Sequence, residues 1–251
     1  MTSHSLKNKV ALIGGGAKNL GGLLSRTFAG EGAKVIVHYN SDATRGAAEE
    51  TLAAIARAGG DGFSIQADLT RAHNVTRLFE EGKRPFGRID IAVNTTGKVL
   101  RKPIIETTES EYDEMAAVNA KAAFFFIKEA GRTLEEGGKI VSLVTSLLAA
   151  FTDGYATYAG EKSPIEHFTR AAAKEFAARR ISVTALGPGP MDTPFFYGQE
   201  TPERVAFHKS QAMGGQLTKI EDIVPIVRHL VTDGWWITGQ TIFANGGYTT
   251  R

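Results

Sequence analysis

The chain has 251 residues, 42% hydrophobic and 22% charged, with a formal net charge of +2. That profile belongs to a globular protein with enough chain for a large core, and the lack of a long basic run argues against nucleic acid as the main partner. With no cysteine anywhere, disulfides, thiol catalysis and cysteine-bound metals are excluded.

Met1 to Lys9 is polar and lacks the apolar core of a secretion signal. No apolar run approaches the roughly 18 residues needed to cross a bilayer. A soluble cytoplasmic protein with no membrane partner is therefore expected. No linker, repeat or low-complexity tract interrupts residues 1–251, so one domain is expected. The six histidines show no metal-ligand spacing, and no metal is expected.

Along the chain, short β-branched runs alternate with longer Ala-rich segments. Val10 to Ile13 reads as a strand, followed by a glycine-rich turn and a helix from about Leu20 to Gly30. Val35 to Tyr39 is a second strand, with a helix from about Ala43 to Ala58. Phe63 to Gln66 is a third strand and about Ala72 to Glu81 a helix. Ile89 to Asn94 is a fourth strand, and Glu109 to Leu134 is long enough for one helix or two. Lys139 to Val144 is a fifth strand. A helix over about Tyr155 to Arg179 contains Pro164, which should kink it just past Lys162. Ile181 to Leu186, a helix over Glu221 to Thr232, and a short strand Thr241 to Ala244 complete the pattern. Such alternation predicts an α/β fold, a doubly wound (Rossmann) parallel sheet of about seven strands with helices on both faces. An eight-stranded α/β barrel would alternate likewise, but it makes no specific use of a glycine turn after its first strand.

That turn runs Gly14-Gly15-Gly16-Ala17-Lys18-Asn19-Leu20-Gly21-Gly22. Glycines let the backbone turn tightly and approach a pyrophosphate, while the helix start points free N–H groups at the anion. Farther on, Tyr158-Ala159-Gly160-Glu161-Lys162 places a phenol and an ammonium on one helix face, a turn apart. A neighbouring ammonium lowers a phenol's pKa, which would tune Tyr158 for proton transfer to or from an oxygen.

With Gly15-x-x-x-Asn19-x-Gly21 and Tyr158-x-x-x-Lys162 in this order, the chain resembles the short-chain dehydrogenase/reductase family over about Lys7 to Gly247, including its 3-oxoacyl-carrier-protein reductase-like members. Asn19 stands where the family usually has the middle glycine, and Asn tolerates left-handed geometry better than other non-glycine residues. The resemblance implies a nicotinamide dinucleotide held by Gly15, Lys18, Asn19, Leu20 and Gly21. In NAD-type folds an acidic residue ending the second strand holds the ribose 2′-hydroxyl. Here the strand ends Tyr39-Asn40-Ser41, with no carboxylate before Asp42. Asn40 and Ser41 could donate to a 2′-phosphate and Lys18 adds a cation, so NADP(H) is expected. The alternative for Lys18 is a solvated surface lysine.

By the same resemblance, Asp68 and Leu69 meet the adenine, and Asn94 and Gly97 back the cofactor, with Thr95 and Thr96 departing from the family's Asn-Asn-Ala-Gly. Pro188, Gly189, Met191 and Thr193 form the turn beneath the nicotinamide. The implied catalytic set is Tyr158 and Lys162, Asn119 as anchor of a water, and a hydroxyl that holds the substrate oxygen. Counting back from Tyr158 gives Thr145, with Ser146 as the alternative. Residues from about 194 to 215 match a mobile substrate lid. Its Phe195, Phe196, Tyr197, Phe207 and Met213 either receive an apolar substrate or pack the lid onto the core, and His208 reads as a surface or lid residue. The C-terminal Trp235 to Gln240 and Asn245-Gly246-Gly247 imply a homotetramer or homodimer.

The function implied is an NADP(H)-dependent oxidoreductase that moves a hydride between nicotinamide and a small carbonyl/alcohol substrate, a 3-oxoacyl thioester or another ketone. The alternative is a catalytically silent NADP(H)-binding sensor or scaffold, which the departures Asn19, Thr95 and Thr145 keep open.

Overall fold

Val10-Ala11-Leu12-Ile13 carries apolar side chains toward both faces, as a strand covered on both sides requires. It forms strand β1 (Val10–Gly14), buried along its whole length. The computed structural model describes residues 5–150 and 152–250; residues 1–4, which begin the polar N-terminal stretch, Phe151 and Arg251 lie outside the described residues.

From β1 the chain runs through α1 (Asn19–Gly30), β2 (Lys34–Tyr39), α2 (Arg45–Arg57), β3 (Asp61–Gln66) and α3 (Ala72–Phe86). It returns to the other side of β1 as β4 (Ile91–Asn94), followed by α4 (Glu109–Ala116), α5 (Ala122–Thr133), β5 (Lys139–Leu143), α6 (Ala156–Glu175) and β6 (Ser182–Pro188). Helices α7 (Pro194–Tyr197), α8 (Pro202–Gln211) and α9 (Ile220–Val231) precede β7 (Thr241–Ala244). The sheet has seven strands in the order β3-β2-β1-β4-β5-β6-β7, and every pairing is parallel. This is the doubly wound fold that the alternation predicts.

Two apolar layers cover the sheet. On one face α1, α2 and α9 contribute Leu24, Phe28, Ile55, Val227 and Leu230. On the other, α3, α5 and α6 contribute Leu78, Phe79, Phe126, Ile127 and Ala172. Phe79 and Phe126 meet edge to face with centroids 5.1 Å apart, and burying one such ring contributes about 1.5–3 kcal/mol. The strand order reverses between β1 and β4, and a crevice opens beyond their carboxyl ends, where this class of sheet takes its ligands.

Several boundaries differ from the sequence reading. α3 runs to Phe86 rather than Glu81, through Pro85, and stops at Gly87 in left-handed geometry (φ 73°); Lys83 and Arg84 lie favourably in that last turn. The stretch Glu109 to Leu134 is two helices joined by a π turn over Ala117–Lys121. Pro164 does not interrupt α6. The carbonyl it leaves without a donor, that of Gly160, belongs to an exposed residue where water can take it. Helices α7 and α8, in the segment expected as a lid, carry no clear period in sequence. Among the described residues no helix is long and apolar enough to cross a membrane.

Candidate active site

The turn after β1 is built on left-handed backbone. Gly15 has φ 73° and Asn19 φ 50°, so Asn19 takes the geometry expected of it. A Cβ on Gly21 would lie 2.1 Å from the Gly15 carbonyl oxygen, so only glycine lets these two segments touch. Thr95, a departure from the family pattern, has a local reason. Its hydroxyl donates to the Gly14 carbonyl at 2.7 Å and ties β4 to the turn. Helix α1 begins after Lys18 without a side-chain cap, leaving its first N–H groups for an anion.

Beneath the turn sits His38, which the sequence reading passed over. Its Nδ1 accepts from Gly15 N at 2.9 Å and its Nε2 donates to the Ala67 carbonyl at 2.8 Å. Burial pushes its pKa down to about 4, so the ring is neutral and joins β2, β3 and the turn. A histidine whose folded pKa lies below its unfolded value stabilises the fold above about pH 6.5, and that stability is lost as pH falls. Between pH 6.5 and 4 urea unfolding should therefore lose about 3 kcal/mol from this group. His38→Gln, which cannot titrate, should show a correspondingly flatter pH dependence; an identical slope in the variant would refute the assignment.

The crevice is a long, open cleft. Gly15, Lys18, Asn19, Leu20 and Gly21 form one end, and Tyr39, Asn40, Asp68 and Leu69 the wall beside β2 and β3. Gly97, Tyr158, Lys162, Pro188, Met191 and Thr193 form the other end. Three expected residues are not on this wall. Ser41 has its carbonyl bound by the Thr44 hydroxyl at 2.9 Å, and Thr44 faces the cleft in its place. Asn94 is buried behind the wall, where its Oδ1 accepts from the Thr96 N–H and hydroxyl. Gly189 lies on the adjoining pocket. Thr70 and Arg71 are wall residues that the sequence did not single out. Asp42, the first carboxylate after β2, is paired with Arg45 and does not line the cleft.

The catalytic candidates converge. Lys162 is 4% exposed, and its Nζ donates to the Thr96 and Leu143 carbonyls, each at 3.1 Å. Asn119 lies in the π turn, donates to the Lys98 and Met115 carbonyls, and accepts from Lys98 N. Added to Gly97, a Cβ would meet Lys162 Nζ at 2.9 Å and Asn119 Oδ1 at 3.0 Å, so this glycine lets both groups approach the same spot. Thr145 lines the same pocket as Tyr158 and lies near enough to pull the phenol's pKa down against burial, and its hydroxyl accepts from Leu147 N at 3.2 Å. Ser146 is buried beside it and borders the same pocket.

The expected acidification of Tyr158 is corrected by the structure. Burial pushes the phenol up to about 12, with Thr145 pulling the other way. Burial also lowers Lys162 to about 8. Desolvation dominates both groups, and the ammonium's donors go to two backbone carbonyls.

A second, smaller pocket adjoins the cleft at Tyr158. Its walls are mostly apolar, among them Val99, Leu147, Pro190 and Phe196, and Val144, Tyr158, Pro188, Met191, Thr193 and Phe195 are shared with the cleft. His208, read as a surface or lid residue, is 3% exposed in α8 and borders this pocket.

Comparison with known proteins agrees with this geometry. The family model described as Enoyl-(Acyl carrier protein) reductase matches residues 15–249. A hydroxynaphthalene reductase-like protein of Metarhizium robertsii is 34% identical over 99% of this chain and 98% of its own. A short-chain type dehydrogenase/reductase of Picea abies is 31% identical over 96% and 93%. The crystal structure of a putative dehydrogenase from Burkholderia cenocepacia with bound NADP superposes with a TM-score of 0.98 at 62% identity, covering 100% of this chain and 97% of that one. Likeness of this extent, in sequence and in fold, makes the chain a member of the short-chain dehydrogenase/reductase family.

Proposed function

We propose that this chain is an NADP(H)-dependent reductase of ketones, with Tyr158 as proton donor, Thr145 holding the carbonyl oxygen and Lys162 stabilising the phenolate left behind. The observation that carries the reading is that Tyr158, with Thr145 near it, stands in the wall shared by the long cleft beyond β1 and β4, which Lys162 also lines, and an apolar pocket. NADPH bound in the cleft would supply the hydride. The residues fit it: the Gly15–Gly21 contact that a Cβ would fill, the uncapped start of α1 and the Lys18 cation suit a pyrophosphate and a 2′-phosphate. The relative from Burkholderia cenocepacia, which holds NADP, points the same way.

A phenol pushed up by burial is protonated at neutral pH and can give its proton to a nascent alkoxide, as carbonyl reduction requires. Lys162, at about 8, is charged at neutral pH. Turnover should fall as pH rises through about 8, when that charge is lost, and a flat profile from pH 7 to 9 would count against Lys162.

The apolar pocket and the hydroxynaphthalene reductase-like relative favour a ketone on a ring system over a long acyl thioester. The test is NADPH oxidation, followed by absorbance, with 1-tetralone, phenanthrenequinone and acetoacetyl-CoA; no turnover of any of them would overturn the reductase reading. The silent sensor or scaffold has no support beside an intact Tyr158, Lys162 and nearby hydroxyl. For that hydroxyl, Thr145→Val should lower kcat/KM by about 10-fold or more, as expected for loss of one hydrogen bond to a developing charge. Ser146→Ala should change it little; the reverse ranking would make Ser146 the holder.

We further infer a cytoplasmic homotetramer or homodimer. The exposed Phe124 on α5 and Trp236 before β7, 46% and 80% exposed, support an oligomer. Light scattering that returns the mass of one chain at working concentration would overturn it. Residues 194–215 act as a lid over the pocket in this reading.

A further inference from the structure

Behind the substrate pocket lies a polar cluster that the mechanism above does not use. Glu200, just ahead of α8, has a fully buried side chain. Its carboxylate accepts from the Tyr155 hydroxyl and from Arg204 Nε at 3.1 Å, and His208 Nε2 lies 3.2 Å from it. Arg101 Nε stands at 4.0 Å. The cluster ties together distant parts of the chain. Arg204 and Arg101 both pair with Asp153, before α6. Arg101 N donates to the side chain of Gln199 at 2.9 Å. His208 Nδ1 accepts from the Tyr248 hydroxyl at 2.8 Å. Two guanidinium charges thus balance two carboxylates, and the carboxylate at the centre is satisfied on both oxygens, as a buried charge must be.

Tyr155 sits three residues before Tyr158, and their rings lie 6.3 Å apart. Phe196 packs edge-on against His208 at 5.4 Å. Gln199, Phe196, His208 and Tyr155 all border the pocket, while Glu200 and Arg204 do not. The carboxylate therefore ties the wall built from α7 and α8 to the wall on α6 that carries Tyr158.

We propose that Glu200 is a positioning residue for the substrate: it clasps the lid onto α6 and so sets the width of the substrate pocket before the substrate arrives. This rests on the reductase reading for its kinetic consequence but not for the clasp itself. A preformed wall spares the substrate the cost of ordering the lid, so loss of the clasp should appear in KM and leave the chemistry and the nucleotide alone.

The test uses Glu200→Gln, which keeps the side chain's size and removes its charge, and Arg204→Met, which removes one arm at a partly exposed site. With 1-tetralone as substrate, KM should rise by about 10-fold or more, as when a buried charge pair is broken, with kcat within about 3-fold and NADPH affinity unchanged. Trypsin in the presence of NADPH should cut after the exposed Lys209 of α8 faster in both variants, with cleavage after Arg228 of α9 unchanged. If neither KM nor Lys209 cleavage moves in either variant, the clasp is refuted. It is equally refuted if cleavage quickens throughout the chain and NADPH affinity falls with it, because the role is then general stability. Should the wild type reduce no ketone, the reductase reading fails by itself, and the Lys209 cleavage rate still decides the clasp.

Discussion

Tyr158→Phe is expected to lower kcat/KM for ketone reduction by about 10² to 10⁴, the usual worth of a positioned general acid. The ring stays, so its packing with Tyr155 and Phe195 and the cleft wall stay, and NADPH affinity should hold. What is removed is the phenolic hydroxyl that would deliver the proton. Burial raises this phenol, so it stays protonated at neutral pH and its own ionisation should add no limb to the pH profile near neutrality. The steady-state rate with saturating NADPH is the measurement. Full turnover in Tyr158→Phe would mean that another group delivers the proton, and the mechanism would go.

Gly21→Ala is expected to weaken NADPH binding by about 10- to 100-fold, the equivalent of the roughly 1–3 kcal/mol that overpacking costs. The new methyl would fall 2.1 Å from the Gly15 carbonyl oxygen and 2.8 Å from Thr95 Oγ1. Neither neighbour can yield cheaply. The Gly15 backbone is fixed by His38, and the Thr95 hydroxyl is bound to Gly14. The turn must open, and with it the position of the first N–H groups of α1. Gly30→Ala, at the other end of the same helix, meets nothing within 4 Å and should bind NADPH as the wild type does. Fluorescence titration of NADPH into both variants decides the matter, and equal affinities would remove the turn from the cofactor site.

These two expectations differ in where their grounds lie. Tyr158 and Lys162 are four apart on a helix, and the glycines stand within one short turn, so spacing alone brings each set together. The strands were legible for the same reason. Val10 to Ile13 and Val35 to Tyr39 are apolar on both faces, and a parallel sheet buried under two helical layers asks for that. Even Asn19 could be reasoned into left-handed backbone from its side chain.

Other features rest on residues that meet only after folding. His38 looks like any strand histidine until β3 brings the Ala67 carbonyl to one nitrogen and the glycine turn brings an N–H to the other. The choice between Thr145 and Ser146 depends on which hydroxyl the strand end turns toward Tyr158, and adjacent residues on extended backbone point to opposite sides. The rise of the phenol to about 12 is set by burial, which no neighbour in sequence reveals. The clasp joins Glu200 to Tyr155 across 45 positions and His208 to Tyr248 across 40. Local sequence, through side-chain period and backbone preference, determined the doubly wound sheet, the nucleotide turn and the Tyr–Lys pair. Tertiary structure alone decided which groups lose water and which distant segments line the two pockets, because desolvation and long-range hydrogen bonds exist only once those segments are packed together.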